Sequence, residues 1–157
     1  MPTISPADCT YETFDHKAQI GLRLEAATGG DLFTCAGLAL FELIQPAPAD
    51  TAVSPPRSVG AAETADWRQV ALSADDPESL LVAWLDALLN LHATTGLLFR
   101  RYNVVAWEPT FIEATVMGDT PERPSAPRIR AVTHHELEVV QTAGSWQARV
   151  FFDVFEA

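Results

Sequence analysis

Apolar residues recur along the chain at two spacings, one typical of strands and one typical of helices. The run 11–26 contains the alternation Ile20, Leu22, Leu24, which predicts a half-buried strand. A first helix is predicted after it, because apolar residues then recur every three to four positions. This apolar face consists of Phe33, Ala36, Leu40, Phe41 and Ile44. Thr28 suits the N-cap of this helix, since its hydroxyl can accept a hydrogen bond from the first turn.

A second helix is predicted before residue 96, with large apolar side chains on one face. These are Leu81, Trp84, Leu85, Leu88 and Leu91. Asp75 or Asp76 suits its N-cap, and Glu78 stands three residues after Asp75, as in a capping box. Gly96 suits the left-handed residue that ends a helix. The remaining alternating segments, 67–73, 97–107, 110–117, 129–141 and 146–155, are predicted strands.

This order of elements predicts an α+β domain in which two helices pack on a mostly antiparallel sheet. Residues 1–10 contain two prolines and little periodicity, so we interpret them as a loose leader. Residues 45–66 contain four prolines and no apolar periodicity, which indicates a long surface loop. We therefore expect one domain over 11–157.

Composition and charge narrow the classes of function. The chain has 157 residues, of which 48% are hydrophobic, and this excludes a disordered chain. Its net charge of −11 repels phosphate backbones and anionic membranes, so strong nucleic-acid binding is not expected. No apolar run reaches the roughly 18 residues of a membrane span and no signal pattern is present, so we expect a cytoplasmic protein. Two cysteines are too few for a disulfide framework or a zinc-finger set.

Two polar spots stand out from the apolar pattern at the ends of predicted strands. Asp15 and His16, with Gln19 close by, combine a carboxylate with an imidazole, which suits metal binding or acid–base chemistry. Polar residues that cap a strand end are the simpler explanation of this pair. Asp153 lies within the apolar run VFFDVF, where a carboxylate is costly unless it is paired, metal-bound or turned toward solvent.

The third polar spot is the segment 130–136. Strand alternation places Arg130, His134 and Glu136 on one face. It places Thr133 and His135 on the other, so the adjacent histidines cannot share one ion without a bulge. A mixed polar strand edge accounts for the segment as well as a metal pair does. The chain has no nucleophile elbow, phosphate-binding loop, HExxH or paired CxxC, and no catalytic residue is predicted.

Several segments resemble the archease family in order along the chain, from Tyr11 to Val154. They are FDHKAQIGLRLEA, TGGDLFTCAGLALFELI, DDPESLLVAWLDALLNLHATTGLLF, RIRAVTHHELEV and WQARVFFDV. The resemblance implies the archease fold and a non-enzymatic role. Archeases are protein cofactors of the tRNA-splicing RNA ligase, which joins 3′-phosphate and 5′-hydroxyl ends. They promote guanylylation of the ligase and restore its multiple turnover, in tRNA splicing or RNA repair.

The resemblance also implies a divalent cation, typically Ca²⁺, and a set of site residues. Asp15 and His16 match the DH of the family's DHTAD motif, and Asp153 matches its C-terminal metal-binding aspartate. Gln19 stands where the family has its other metal-binding aspartate, and Lys17 where it has threonine. Residues 155–157 extend beyond the usual end, so no terminal carboxylate adjoins Asp153.

In the family's KAVTYH strand, Thr133 and His135 match and Arg130 replaces the lysine. We expect Asp15, His16, Arg130, Thr133 and His135 to contact the ligase, with no nucleotide bound by the chain itself. Because Ca²⁺ favours several anionic oxygens, our hypothesis is that the metal site is weakened or lost and that Asp153 is its remaining ligand.

Two other functions stay open. The chain could be a metal-independent adaptor or chaperone-like module that kept the fold and lost ligase activation. It could also be a small metal-dependent hydrolase that uses His16, His134 and Asp153. Convergence of the site residues in one place would favour the ligase activator.

Overall fold

The computed structural model describes residues 9–16, 19–44, 67–119, 129–133, 137–142 and 144–154. For residues 9 and 14–16 only the backbone is described. The described chain contains two helices, α1 (Gly29–Ile44) and α2 (Pro77–Thr95). Its strands are β1 (Cys9–His16), β2 (Gln19–Ala26), β3 (Arg68–Ser73), β4 (Leu98–Glu108), β5 (Phe111–Asp119), β6 (Ile129–Val132), β7 (Glu138–Thr142) and β8 (Ser145–Val154).

The described strands form two antiparallel sheets. The larger has the order β1-β2-β8, and the far side of β8 pairs with β6 at one end and with β7 at the other. The smaller has the order β3-β5-β4. The predicted fold class is confirmed, and the division into two sheets is an addition to it.

Two predicted strands are each two strands in the structure. The run 11–26 is a pair of antiparallel strands, β1 and β2, in which His16 lies opposite Gln19. The single-strand interpretation was wrong because this run contains no glycine, asparagine or proline at the reversal, which are the usual signals of a turn. The run 129–141 is likewise divided: β6 ends at Val132 and β7 begins at Glu138.

The predicted N-caps of both helices and the predicted C-terminal end of α2 are found in the structure. Thr28 Oγ1 accepts a hydrogen bond from the Asp31 N–H at 3.1 Å. In α2, Asp76 Oδ1 accepts from the Ser79 N–H at 2.7 Å, and Gly96 ends the helix with a φ of 76°. These contacts select Asp76 over Asp75 as the N-cap.

Glu78 does not form the predicted capping box. Its Oε2 accepts a hydrogen bond from the Val139 N–H at 3.1 Å, on β7. With Asp76 as N-cap, Glu78 is one position too early to reach back to the cap. The carboxylate instead pairs a strand N–H that β8 does not use, and this joins α2 to the larger sheet.

The core lies on the helix side of the larger sheet, and this decides which residues are left outside. Leu22 and Leu24 of β2 and Val150 and Phe152 of β8 are buried in the main core cluster with both helices. Trp84 of α2 packs there too, and its Nε1 donates to the Phe33 carbonyl at 2.8 Å. Since side chains alternate along a strand, the residues between these face away from the helices. We call that side the outer face of the larger sheet. No helix among the described residues is both long and apolar enough to cross a membrane.

Candidate functional site

Gln19 and Asp153 form a polar pair on the outer face of the larger sheet. Gln19 begins β2, Asp153 lies one residue before the end of β8, and the two are directly opposite in register. Gln19 Nε2 donates a hydrogen bond to Asp153 Oδ1 at 2.9 Å, and both residues are half-buried. This bond satisfies one oxygen of the Asp153 carboxylate. It therefore offsets part of the free-energy cost of placing a charged group between apolar residues.

The residues described here do not fit the cation that the resemblance implies. Calcium takes about six to eight oxygen ligands, preferably including several carboxylates. The Gln19–Asp153 pair offers one carboxylate, and the amide presents an N–H donor to it rather than an oxygen to an ion. Within the described part of the chain, no group of three or more His, Cys, Asp and Glu residues is placed to hold a metal.

The backbone brings His16 to the same lateral row as this pair. His16 of β1 is in register with Gln19, and Ala131 of β6 is in register with Asp153. The row therefore runs across β1, β2, β8 and β6. Asp15 is one step away, in register with Ile20. The side chains of Asp15 and His16 lie outside the described residues.

Arg130 and Thr133 flank the β6 end of this row. The register of β6 with β8 shifts between Ile129 and Ala131, so Arg130 lies in an irregular position beside the residue that pairs with Asp153, and it is exposed. The Thr133 N–H and Oγ1 both donate to the Phe151 carbonyl, each at 3.0 Å. The predictions for His134, His135 and Glu136 fall outside the described residues.

A second polar feature of the outer face was not singled out in the sequence. Glu12, Arg23, Arg149 and Glu138 are successive register partners across β1, β2, β8 and β7, and we call them the charged row. Arg23 Nη1 lies 3.1 Å from Glu12 Oε2, and Arg149 Nη2 lies 3.5 Å from Glu138 Oε1. Alternation alone puts Arg23 on the face of Gln19 and Arg149 on the face of Asp153. What the sequence does not reveal is which strands are neighbours.

Two tyrosines in the described chain have raised pKa values. Burial raises the pKa of Tyr102 well above its usual 10, and Arg100 opposes this. Burial, followed by the charge of Glu42, raises the pKa of Tyr11. Both phenols therefore stay protonated near neutral pH, where neither is suited to act as a base. Cys35 is buried in α1 and disulfide-bonded, which fits packing rather than nucleophilic chemistry.

The fold and this outer face define a small α+β protein with two antiparallel sheets. On the side away from its helices, the larger sheet carries the Gln19–Asp153 pair and the charged row. A surface of hydrogen-bonded and ion-paired side chains suits contact with another macromolecule.

The chain belongs to the archease family. The family model described as "Archease protein family" matches residues 11–154. Curated relatives named "Protein archease" include those of Methanosarcina barkeri, 32% identical over 154 residues, and Methanosarcina acetivorans, 34% identical over 151 residues. Each of these alignments covers 92% of this chain and 95% of the relative. Membership supports an accessory-protein role for the chain.

A solved structure agrees with this assignment. The solution structure of Methanobacterium thermoautotrophicum protein 1598 superimposes with a TM-score of 0.66 and 28% sequence identity. The match covers 91% of this chain and 97% of that one. The shared fold therefore extends over nearly the whole domain.

Proposed function

We propose that this protein activates an RNA ligase that joins 3′-phosphate and 5′-hydroxyl RNA ends, by promoting guanylylation and turnover of the ligase. Family membership supports this role. The observation that suggests where the ligase would bind is the lateral row of His16, Gln19, Asp153 and Ala131. That row brings together three separate segments which resemble the family's conserved motifs.

The contact site of this proposal is the end of the outer face around Asp153. Arg130 is exposed next to Ala131, the register partner of Asp153, and brings a positive charge to this end of β6. Asp15, His16 and His135 complete the proposed contact set by their sequence positions. Thr133 donates two hydrogen bonds to the Phe151 carbonyl, and these hold the end of β6, the strand that carries Arg130, against β8.

We further propose that the site works without a resident calcium ion. In this chain the Gln19 amide donates to the carboxylate that a cation would otherwise bind. An amide N–H close to Asp153 disfavours a cation at the same oxygen, because the ion would have to displace the donor. Protein groups then take the electrostatic role of the cation. The candidate among the described residues is Arg130, because its neighbour in sequence, Ala131, is the register partner of Asp153.

The test is multiple-turnover ligation by the 3′-phosphate RNA ligase of the same organism, with and without this protein. Single-turnover guanylylation of the ligase with labelled GTP measures the proposed step directly. Gln19→Asp is compared with the wild type, and Gln69→Asp is the matched control. Gln69 donates to Glu113 at the same 2.9 Å distance, but on the smaller sheet and in an exposed position.

Stimulation by the wild type and by Gln69→Asp supports activation without the usual carboxylate. Stimulation by Gln19→Asp alone contradicts the metal-independent site, since it means that the site needs the second carboxylate. If no version stimulates the ligase or its guanylylation, the activator role is wrong and the adaptor alternative replaces it.

A further inference from the structure

The charged row places two positive charges side by side between two negative ones. Arg23 and Arg149 are directly opposite each other on β2 and β8, an arrangement in which like charges repel. Glu12 and Glu138 offset this repulsion from the two outer strands. The order of charges across the four strands is therefore negative, positive, positive, negative.

The charged row is open to other molecules. It lines a depression of about 500 Å³ in the outer face, together with Thr10, Glu25 and Gln147. The side chains of Arg23 and Arg149 are 55% and 33% exposed. Depressions of this volume are within the range of binding sites for small ligands and short peptide segments.

The spacing of the row matches that of an extended peptide laid across the strands. Neighbouring strands are about 4.8 Å apart, so three intervals separate Glu12 from Glu138 by about 14 Å. In an extended peptide, alternate side chains share one face about 6.7 Å apart, and five residues place three of them over about 13 Å. A peptide with basic, acidic and basic residues at those three positions meets a carboxylate at each end and both arginines in the middle.

We propose that the charged row binds an extended peptide of the pattern basic-x-acidic-x-basic on a partner protein. The identification of this partner protein as the RNA ligase rests on the proposed function, whereas the binding of the peptide pattern does not. The central acidic side chain of the peptide lies between Arg23 and Arg149, where it relieves their repulsion and accepts charge-assisted hydrogen bonds.

The charges of the same depression disfavour a nucleic acid. Glu12, Glu25 and Glu138 line it, and the chain as a whole carries a net charge of −11. A run of phosphates would face these three carboxylates as well as the two arginines. A single carboxylate between two basic side chains avoids that repulsion.

The experiment measures binding of fluorescent, end-blocked peptides to the full chain by anisotropy at moderate salt. The probe has the core Lys-Val-Glu-Val-Lys, and its control has the reversed charges Glu-Val-Lys-Val-Glu. The wild type is expected to bind the probe about tenfold or more tightly than the control. NMR shifts in ¹⁵N-labelled protein should change at Arg23 and Arg149 and leave β3 unchanged.

Arg149→Gln removes one central charge and is expected to weaken probe binding roughly three- to tenfold, the scale of a partly exposed ion pair. Arg101→Gln is the matched control on the smaller sheet, where Arg101 contacts Met117, and it should bind the probe like the wild type. Equal binding of the two peptides by the wild type would overturn the proposal even if a variant failed to fold. So would displacement of the probe by oligothymidylate at equal concentration.

Ligase stimulation then tests the identity of the partner. Arg149→Gln should raise the concentration of this protein that gives half-maximal stimulation about three- to tenfold, while the maximum stays the same. An unchanged half-maximal concentration, with the peptide result intact, would overturn the assignment to the ligase. Absence of stimulation by the wild type would refute the proposed function, and the peptide result would still decide the proposal for the charged row.

Discussion

Replacing Gln19 with aspartate converts a hydrogen-bonded pair into two opposed carboxylates. Gln19 and Asp153 are register partners, and the 2.9 Å bond between them joins an N–H donor to an anionic acceptor in a half-buried place. Gln19→Asp removes the donor and puts a like charge in its position. We therefore expect the variant to be less stable than the wild type in the absence of divalent cations.

The size of this loss follows from two contributions. A hydrogen bond to a charged group contributes about 1.5–3 kcal/mol, and half-burial favours the lower part of that range. Two carboxylates about 5 Å apart repel by ~1 kcal/mol in water and by ~3 kcal/mol at an effective dielectric constant of 20. The free energy of unfolding should fall by roughly 2–4 kcal/mol at neutral pH, which lowers Tm by about 5–15 °C.

The loss should depend on pH and on calcium. Repulsion raises the pKa of the carboxylate pair in the folded variant above its unfolded value, so the loss shrinks as the pH falls and protonates the pair. Ca²⁺ between the two carboxylates should restore stability, by about 2.7 kcal/mol when its concentration is a hundred times Kd. The wild type should show little calcium response.

The assay is thermal and denaturant unfolding with EDTA or with calcium, together with calorimetric calcium titration. Gln69→Asp breaks a bond of the same type and length in an exposed place, so it should cost about 0.5 kcal/mol or less and gain nothing from calcium. The reasoning is refuted if wild-type protein binds calcium with micromolar affinity. It is equally refuted if Gln19→Asp loses no more stability than Gln69→Asp.

Three further predictions concern the framework that holds the outer face. Gly37→Ala should lower the free energy of unfolding by about 1–3 kcal/mol in urea, because a Cβ there would lie 2.6 Å from the Tyr102 hydroxyl. Gly30→Ala in the same helix is the control, since the nearest atom to its Cβ would be 3.3 Å away, and it should change that free energy by less than ~0.5 kcal/mol. Because the pKa of Tyr102 is raised in the folded protein, its neutral phenol stabilises the fold below the unfolded pKa of 10.0, and this contribution is lost as the pH rises above that value. Tyr102→Phe should therefore reduce the decrease in the free energy of unfolding that is measured in alkaline unfolding scans. Glu78→Ala should cost about 1 kcal/mol and speed hydrogen exchange at the Val139 amide, and unchanged exchange there would contradict the edge-capping role.

The fold was largely predictable because local signals agree with the tertiary structure. The alternation of Leu22 and Leu24 predicted the buried face of β2, and Asp76 and Gly96 marked the ends of α2. The reversal between His16 and Gln19 was missed because its residues carry no turn chemistry. Local signals therefore located the faces of the strands better than the points where the chain turns.

The candidate site was only partly predictable because it depends on strand pairing. The resemblance drew attention to Gln19 and Asp153, which are 134 positions apart, yet only the register of β2 with β8 shows that they share a hydrogen bond. The charged row was missed for the same reason, since Arg23 and Arg149 look like ordinary exposed residues until β2 and β8 are adjacent. The order of strands in a sheet arises from long-range packing, which periodicity does not encode.

The central claim is that this protein activates an RNA ligase through an Asp153 site whose partner is an amide rather than a cation. Its most direct test counts RNA joining events per ligase molecule, with wild-type protein that has been freed of calcium by chelation and gel filtration. The account predicts that this protein raises the number of turnovers well above one per ligase. An unchanged number of turnovers with the wild type, whether or not Gln19→Asp restores them with calcium, would contradict it.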